Sequence, residues 1–251
     1  MKHPLYLLLL IFVLASCAAT DMQRINQKEV ALATQQVGEE HYRNGRYTAA
    51  LKNLLDAQKE LSDDPFLHNS LGLVYLAKER ADLAQTHFER ALELKPDYIQ
   101  AQNNLGGAYM KLEKWDLAIS TYKIVVSSML YATPEIPLSN LGWAYLNQSM
   151  FKQAENYFNQ SLDIRPHFIN AVHGLATIHI KQGNYSNALV FIHDALKKNP
   201  GVAILHADIA ETYEALRDDQ KAKNAWNVVL KLVPERSPLA KEAQKRLLNL
   251  N

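Results

Sequence analysis

One cysteine, Cys17, is the only thiol in this chain of 251 residues. No disulfide can form within the chain and no cysteine-rich metal finger can be built, so stability has to come from packing. Charge of one sign is also missing. With 27 basic against 26 acidic residues the formal net charge is +1, and nothing pulls the chain generally towards nucleic acid. Long apolar runs are absent after the first unbroken one, Leu5 to Leu14, which is itself too short to span a bilayer. Histidines are scattered. No two stand four apart as helical metal ligands do, and no HExxH occurs. The few glycines make no phosphate-binding loop and no nucleophile elbow. Without a catalytic constellation, a cofactor motif or a small-molecule site, an enzyme is the remote alternative.

What the chain does have is a repeat. Take Pro65 to Pro96, PFLHNSLGLVYLAKERADLAQTHFERALELKP, and number Pro65 as position 1. Leu71, Gly72, Tyr75, Ala84, Phe88, Ala91 and Pro96 then fall at positions 7, 8, 11, 20, 24, 27 and 32. Position 8 recurs as Gly38, Gly72, Gly106, Gly142, Ala176 and Ala210, and position 20 as Ala50, Ala84, Ala118, Ala154, Ala188 and Ala222. Both series step by 34 residues, except for one step of 36. Small residues at 8, 20 and 27 let helices approach, bulky ones at 7, 11 and 24 fill the space, and proline at 32 ends the second helix. This resembles the tetratricopeptide family, whose unit is a 34-residue helix–turn–helix. The fold expected from that resemblance is all-α: a right-handed superhelical solenoid of six tetratricopeptide (TPR) repeats plus a C-terminal capping helix, thirteen helices in all.

The repeats are read as residues 31–64, 65–98, 99–132, 135–168, 169–202 and 203–236. Two extra residues sit in the stretch Tyr131 to Pro137, where Pro134 and Pro137 make a stiff, irregular connection. Residues 237–251 are read as the cap, with Leu239, Leu247 and Leu248 covering the last repeat and Lys241, Glu242, Lys245 and Arg246 in solvent. At the other end, residues 1–16 read as a signal peptide. Leu14-Ala15-Ser16-Cys17 resembles a bacterial lipobox, which implies diacylglycerol and an N-acyl chain on Cys17; the plainer alternative is a secretory signal with a chance thiol. Ala18 after the cysteine favours the outer membrane by resemblance to enterobacterial sorting. Residues 17–30 are either a lipidated tether or the frayed start of the first helix, or both.

Recognition is the function left open. By resemblance to the family, positions 2, 5, 9 and 12 of each first helix line a concave groove. That places Phe66, Asn69, Leu73, Asn103, Gly107, Met110 and Trp143 in a protein-binding set. Trp143 and Phe66 are anchor-type residues, and the asparagines offer a donor and an acceptor to a partner's backbone. Some of these can instead pack on neighbouring helices. Positions 2 and 5 carry no lysine or arginine in any repeat, which argues against a clamp for a partner's C-terminal carboxylate.

A lipobox followed by six such units resembles the type IV pilus pilotin family. Asn103-Asn104-Leu105-Gly106-Gly107 is similar to one of its motifs; Leu130-Tyr131, Pro134 and Asn140-Leu141-Gly142 are similar to another between the same repeats. The resemblance implies a lipid-anchored outer-membrane protein on the periplasmic face that helps a pilus secretin to localise and multimerise. Its partner would be a secretin or another pilus assembly subunit, with no nucleic acid and no cofactor beyond the lipid. The runner-up is a scaffold for β-barrel assembly or peptidoglycan synthesis.

Overall fold

A computed structural model describes residues 3–128 and 132–250, with side chains from residue 23 onward. The Cys17 side chain and the Leu130-Tyr131 pair lie outside the described residues. The chain divides into two compact units, residues 1–112 and 113–251.

The first unit holds α1 (His3–Arg43), α2 (Tyr47–Gln58), α3 (Pro65–Ala77), α4 (Ala81–Leu94) and α5 (Ile99–Lys111). The second holds α6 (Trp115–Ser127), α7 (Glu135–Asn147), α8 (Phe151–Ile164), α9 (Ile169–Lys181), α10 (Tyr185–Lys198), α11 (Ala203–Ala215), α12 (Asp219–Leu232) and α13 (Pro238–Asn249). These thirteen helices, with no strand among the described residues, form an all-α tetratricopeptide fold. α1 is much longer than the repeat requires. Residues 17–30, read as tether or frayed start, lie inside it as helix.

Local chemistry sets the helix ends. Asp64 caps α3: one carboxylate oxygen accepts from the backbone N–H of Phe66 at 2.7 Å and of Leu67 at 2.8 Å, and Pro65 opens the first turn. Ser237 and Pro238 repeat the device at α13, where Ser237 Oγ accepts from Ala240 N at 3.1 Å. The turn between the two helices of each repeat has one left-handed residue at position 15. Glycine serves at Gly45 and Gly183, but Glu79, Glu113, Ser149 and Arg217 occupy the same place with φ between 57° and 60°.

Within each repeat the core is one bulky side chain at position 24 facing a small residue at position 8. The bulky residues Leu54, Phe88, Tyr122, Phe158, Ile192 and Trp226 are all essentially shut from solvent, and so are the position-20 alanines. A Cβ on Gly72 would collide with the Phe88 ring, and one on Gly142 would stand 2.5 Å from Phe158 Cε1. Gly174 belongs to this device too, although it sits at position 6: a Cβ there would strike the far edge of the same Phe158 ring. One aromatic ring of α8 is thus clasped by glycines from the first helices of two successive repeats, α7 and α9.

The cap differs from its sequence reading. Leu239 and Leu247 pack on the core of the second unit, but Leu248 is 75% exposed and Leu250 packs in its place. Leu250 lies three residues beyond Leu247, on the helix face of Ala240 and Ala243, whereas Leu248 is turned about 100° away. Nor is Arg246 left to solvent. Its guanidinium bonds Glu242 at 2.7 Å and Glu214 at 3.0 Å, and Glu214 also accepts from the Trp226 indole N–H at 2.5 Å. The cap is therefore fastened by charge as well as by leucine.

In the first unit, α3 and α4 share a histidine pair. His68 Nε2 lies 2.9 Å from the Ser62 carbonyl and His68 Nδ1 lies 3.0 Å from His87 Nδ1. The carbonyl only accepts, so His68 carries its proton on Nε2, and His87 Nδ1–H donates to the other nitrogen. Burial, and then the neighbouring His68, lower the His87 pKa from 6.5 to about 4. The folded state therefore resists a proton that the unfolded chain accepts. This contribution to stability is complete above pH 6.5 and is lost as pH falls towards 4, levelling off below. The loss should amount to about 1–3 kcal/mol after discounting for solvent screening of a partly exposed ring. Urea midpoints measured between pH 7 and pH 4 should fall less steeply for His87→Gln, whose amide can still donate to His68. Identical slopes for variant and parent would contradict this.

Candidate functional site

A polar seam joins successive first helices in register. Asn104 Nδ2 donates to Asn69 Oδ1 at 2.8 Å in the first unit, and His173 Nδ1 meets both oxygens of Asp208 at 2.8 and 2.9 Å in the second. Each pair joins position 5 of one repeat to position 6 of the next, 35 residues on. Where Gly174 leaves position 6 empty, Ser139 at position 5 accepts instead from Asn170 Nδ2 at 2.9 Å. The seam explains why Asn69 is only 7% exposed and Ser139 fully buried. Position 5 is as much an inter-helix position as a groove position. Burial raises the pKa of Asp208 while His173 opposes that shift, and Glu211 is raised by burial and by Asp208.

In the first unit the helices line an open cavity of about 580 Å³ between α1, α3 and Tyr98, the residue before α5. Phe66, Asn69 and Leu73 of the expected set all line it. Phe66 is 49% exposed, with its ring edge-on to Tyr98 at 5.1 Å between centroids. Leu32 and Tyr42 add apolar wall from α1. The charged residues of the lining are Glu39, Asp64 and Arg43. Glu39 Oε1 receives the Gln35 amide at 2.9 Å and the Ser70 hydroxyl at 2.8 Å, and Asp64 completes the rim. Burial raises the Tyr98 pKa, and the carboxylates of Glu39 and Asp64 raise it further.

The rest of the expected set lies elsewhere. Asn103, Gly107 and Met110 on α5 are half-buried and do not line the cavity, and the Asn103 carbonyl oxygen is buried without a hydrogen-bond partner. Trp143 belongs to the second unit. Its indole N–H donates to the Asn170 carbonyl at 3.1 Å, and its ring packs on Phe158 at 5.7 Å and on His173 at 4.8 Å. Truncating Trp143 would remove core packing as well as any surface it offers a partner. Sequence reading missed Gln35, Glu39, Asp64 and Tyr98. The 35-residue spacing of Gln35 and Ser70, matching Asn69 and Asn104, was the available signal. Among the described residues, no group of three or more His, Cys, Asp and Glu side chains is placed to hold a metal ion, and no helix is long and apolar enough to cross a membrane.

Comparison with known proteins agrees with the fold. Residues 97–167 match a family described as tetratricopeptide repeat, and residues 72–113 one described as TPR repeat. The crystal structure of PilW, a widely conserved type IV pilus biogenesis factor, is similar with a TM-score of 0.74 at 23% identity, over 86% of this chain and 98% of that one. PilF of Pseudomonas aeruginosa is similar with a TM-score of 0.67 at 21% identity, over 88% of this chain and 99% of that one. A tetratricopeptide domain-containing protein of Arabidopsis thaliana, the chloroplastic PYG7, is 35% identical over 115 residues, 43% of this chain and 38% of that protein. The chain spans well under half the length of the curated relatives it matches.

Proposed function

We propose that this chain is a non-catalytic, lipid-anchored scaffold on the periplasmic face of the outer membrane, where it helps a type IV pilus secretin to localise and multimerise. The observation that carries the reading is the nearly end-to-end similarity to PilW, a type IV pilus biogenesis factor. The lipobox ending at Cys17 is its second support and supplies the anchor. Stacked tetratricopeptide units bind proteins through surfaces built from their first helices. The partner-facing surface of the first unit includes the cavity lined by Phe66, Asn69 and Leu73. No cofactor is required beyond the acyl chains. The test is co-purification: the lipidated chain, solubilised from membranes, should bring a secretin with it.

A further inference from the structure

We propose that the cavity of the first unit is built for a partner segment carrying a lysine or arginine between leucine-type neighbours, with the cation lodged against Gln35, Glu39 and Asp64. This rests on the protein-scaffold reading above and adds the chemistry of what enters.

Three observations converge. The first is an unmet acceptor. Gln35 lines the cavity, is only 7% exposed, and spends its amide N–H on Glu39, which leaves its carbonyl oxygen buried with no donor. Leaving a buried acceptor unpaired is costly, and a turn of the Gln35 side chain towards the cavity would let an entering donor recover that cost. The second is charge. Both donors to Glu39, from Gln35 and Ser70, reach Oε1, and no bond is recorded at Oε2. Asp64 stands on the same rim, one of its oxygens engaged in capping α3, and both carboxylates lie near enough to the Tyr98 hydroxyl to raise its pKa. Arg43 is the only lysine or arginine in the lining. It lies one turn beyond Glu39 on α1. The third is the wall. Leu32, Phe66 and Leu73 offer apolar surface beside the acceptors, and Leu32 and Phe66 are exposed. A purely apolar segment would strand the acceptors, and an acidic one would meet two carboxylates. A cation on an apolar stem satisfies both parts of the site, because the stem lies along the wall and the head reaches the oxygens.

The test uses the full chain in detergent and three fluorescein-labelled dodecapeptides. They share one sequence of leucine and serine and differ only at the central residue, which is lysine, norleucine or glutamate. The lysine peptide should bind about tenfold more tightly than the norleucine peptide, and the glutamate peptide more weakly than either. Glu39→Gln keeps an oxygen for Gln35 and Ser70 but loses the charge. It should bring the lysine peptide close to the norleucine value with an unchanged melting curve, whereas Glu79→Gln, outside the cavity, should change nothing. Raising the salt should narrow the lysine advantage in the parent. Equal binding of the lysine and norleucine peptides, an advantage that survives Glu39→Gln, or no binding by any peptide would each overturn the proposal. Equal binding overturns the cation alone and leaves the cavity a protein site; a chain that takes the lysine peptide but never brings down a secretin fails in the other reading instead.

Discussion

Phe158→Ala should lower the stability of the second unit by about 3–5 kcal/mol, the usual range for truncating a fully buried phenylalanine. The site gives no means of recovery. Phe158 is completely buried, and two of the surfaces facing its ring are Gly142 and Gly174, which have no side chain to move into the space. Trp143, edge-on to the same ring, loses its support as well. The cavity therefore stays open, and the cost includes the void as well as the lost transfer energy. Thermal melting should shift by roughly 6–20 °C, taking 2–4 °C per kcal/mol for a chain of this size. All three tryptophans, Trp115, Trp143 and Trp226, lie in residues 113–251, so tryptophan fluorescence in urea reads this unit directly. Phe158→Leu should recover part of the loss. An unchanged urea midpoint for Phe158→Ala would mean that the glycine clasp is not what holds α7, α8 and α9 together.

Cys17→Ser should have the second large effect, on location rather than stability. The variant is best made with residues 1–16 exchanged for a cleavable secretory leader, so that the apolar run Leu5 to Leu14 cannot itself hold the chain in a membrane. A serine cannot take a diacylglycerol through a thioether. Each buried methylene of an acyl chain contributes about 0.8 kcal/mol, and more than one chain is needed for stable attachment. Losing them should move nearly all of the protein from the membrane pellet to the soluble fraction. With no described helix able to cross a bilayer, lipid is the anchor this reading requires. A serine variant that stays in the outer-membrane fraction would remove the lipid from the mechanism.

The register of the fold was legible because it depends on residue size at fixed spacing. Glycine or alanine at position 8, alanine at 20 and a bulky residue at 24 are steric requirements of two helices in close contact. Each of these series proved buried where it was placed. The candidate site was less legible because the same first-helix face serves two purposes. Resemblance to the repeat family places Asn69 and Trp143 on the inward side of their helices. It does not say that Asn69 meets Asn104 across the seam, or that the Trp143 indole reaches the Asn170 carbonyl. Those bonds depend on which partner stands one repeat later. His173 with Asp208 shows the same limit: neither points to the other in the sequence, and they meet only where α9 and α11 pack, with Asp208 buried and His173 partly so. At the cap, Leu248 is exposed because it stands one residue's rotation about the helix axis from the packed Leu247, a difference finer than the amphipathic pattern resolves.

The central claim is that this is a tethered scaffold whose partner is a pilus secretin. The measurement that tests it most directly is affinity isolation of the lipidated chain from detergent-solubilised outer membranes, with secretin quantified in the eluate by mass spectrometry. The control is the same isolation from cells lacking the secretin. Secretin is expected in near-stoichiometric amounts with the parent chain, with assembled multimer reduced in cells that lack this protein. A parent chain that elutes from the outer membrane without secretin, in cells whose secretin multimers form normally in its absence, would contradict the claim.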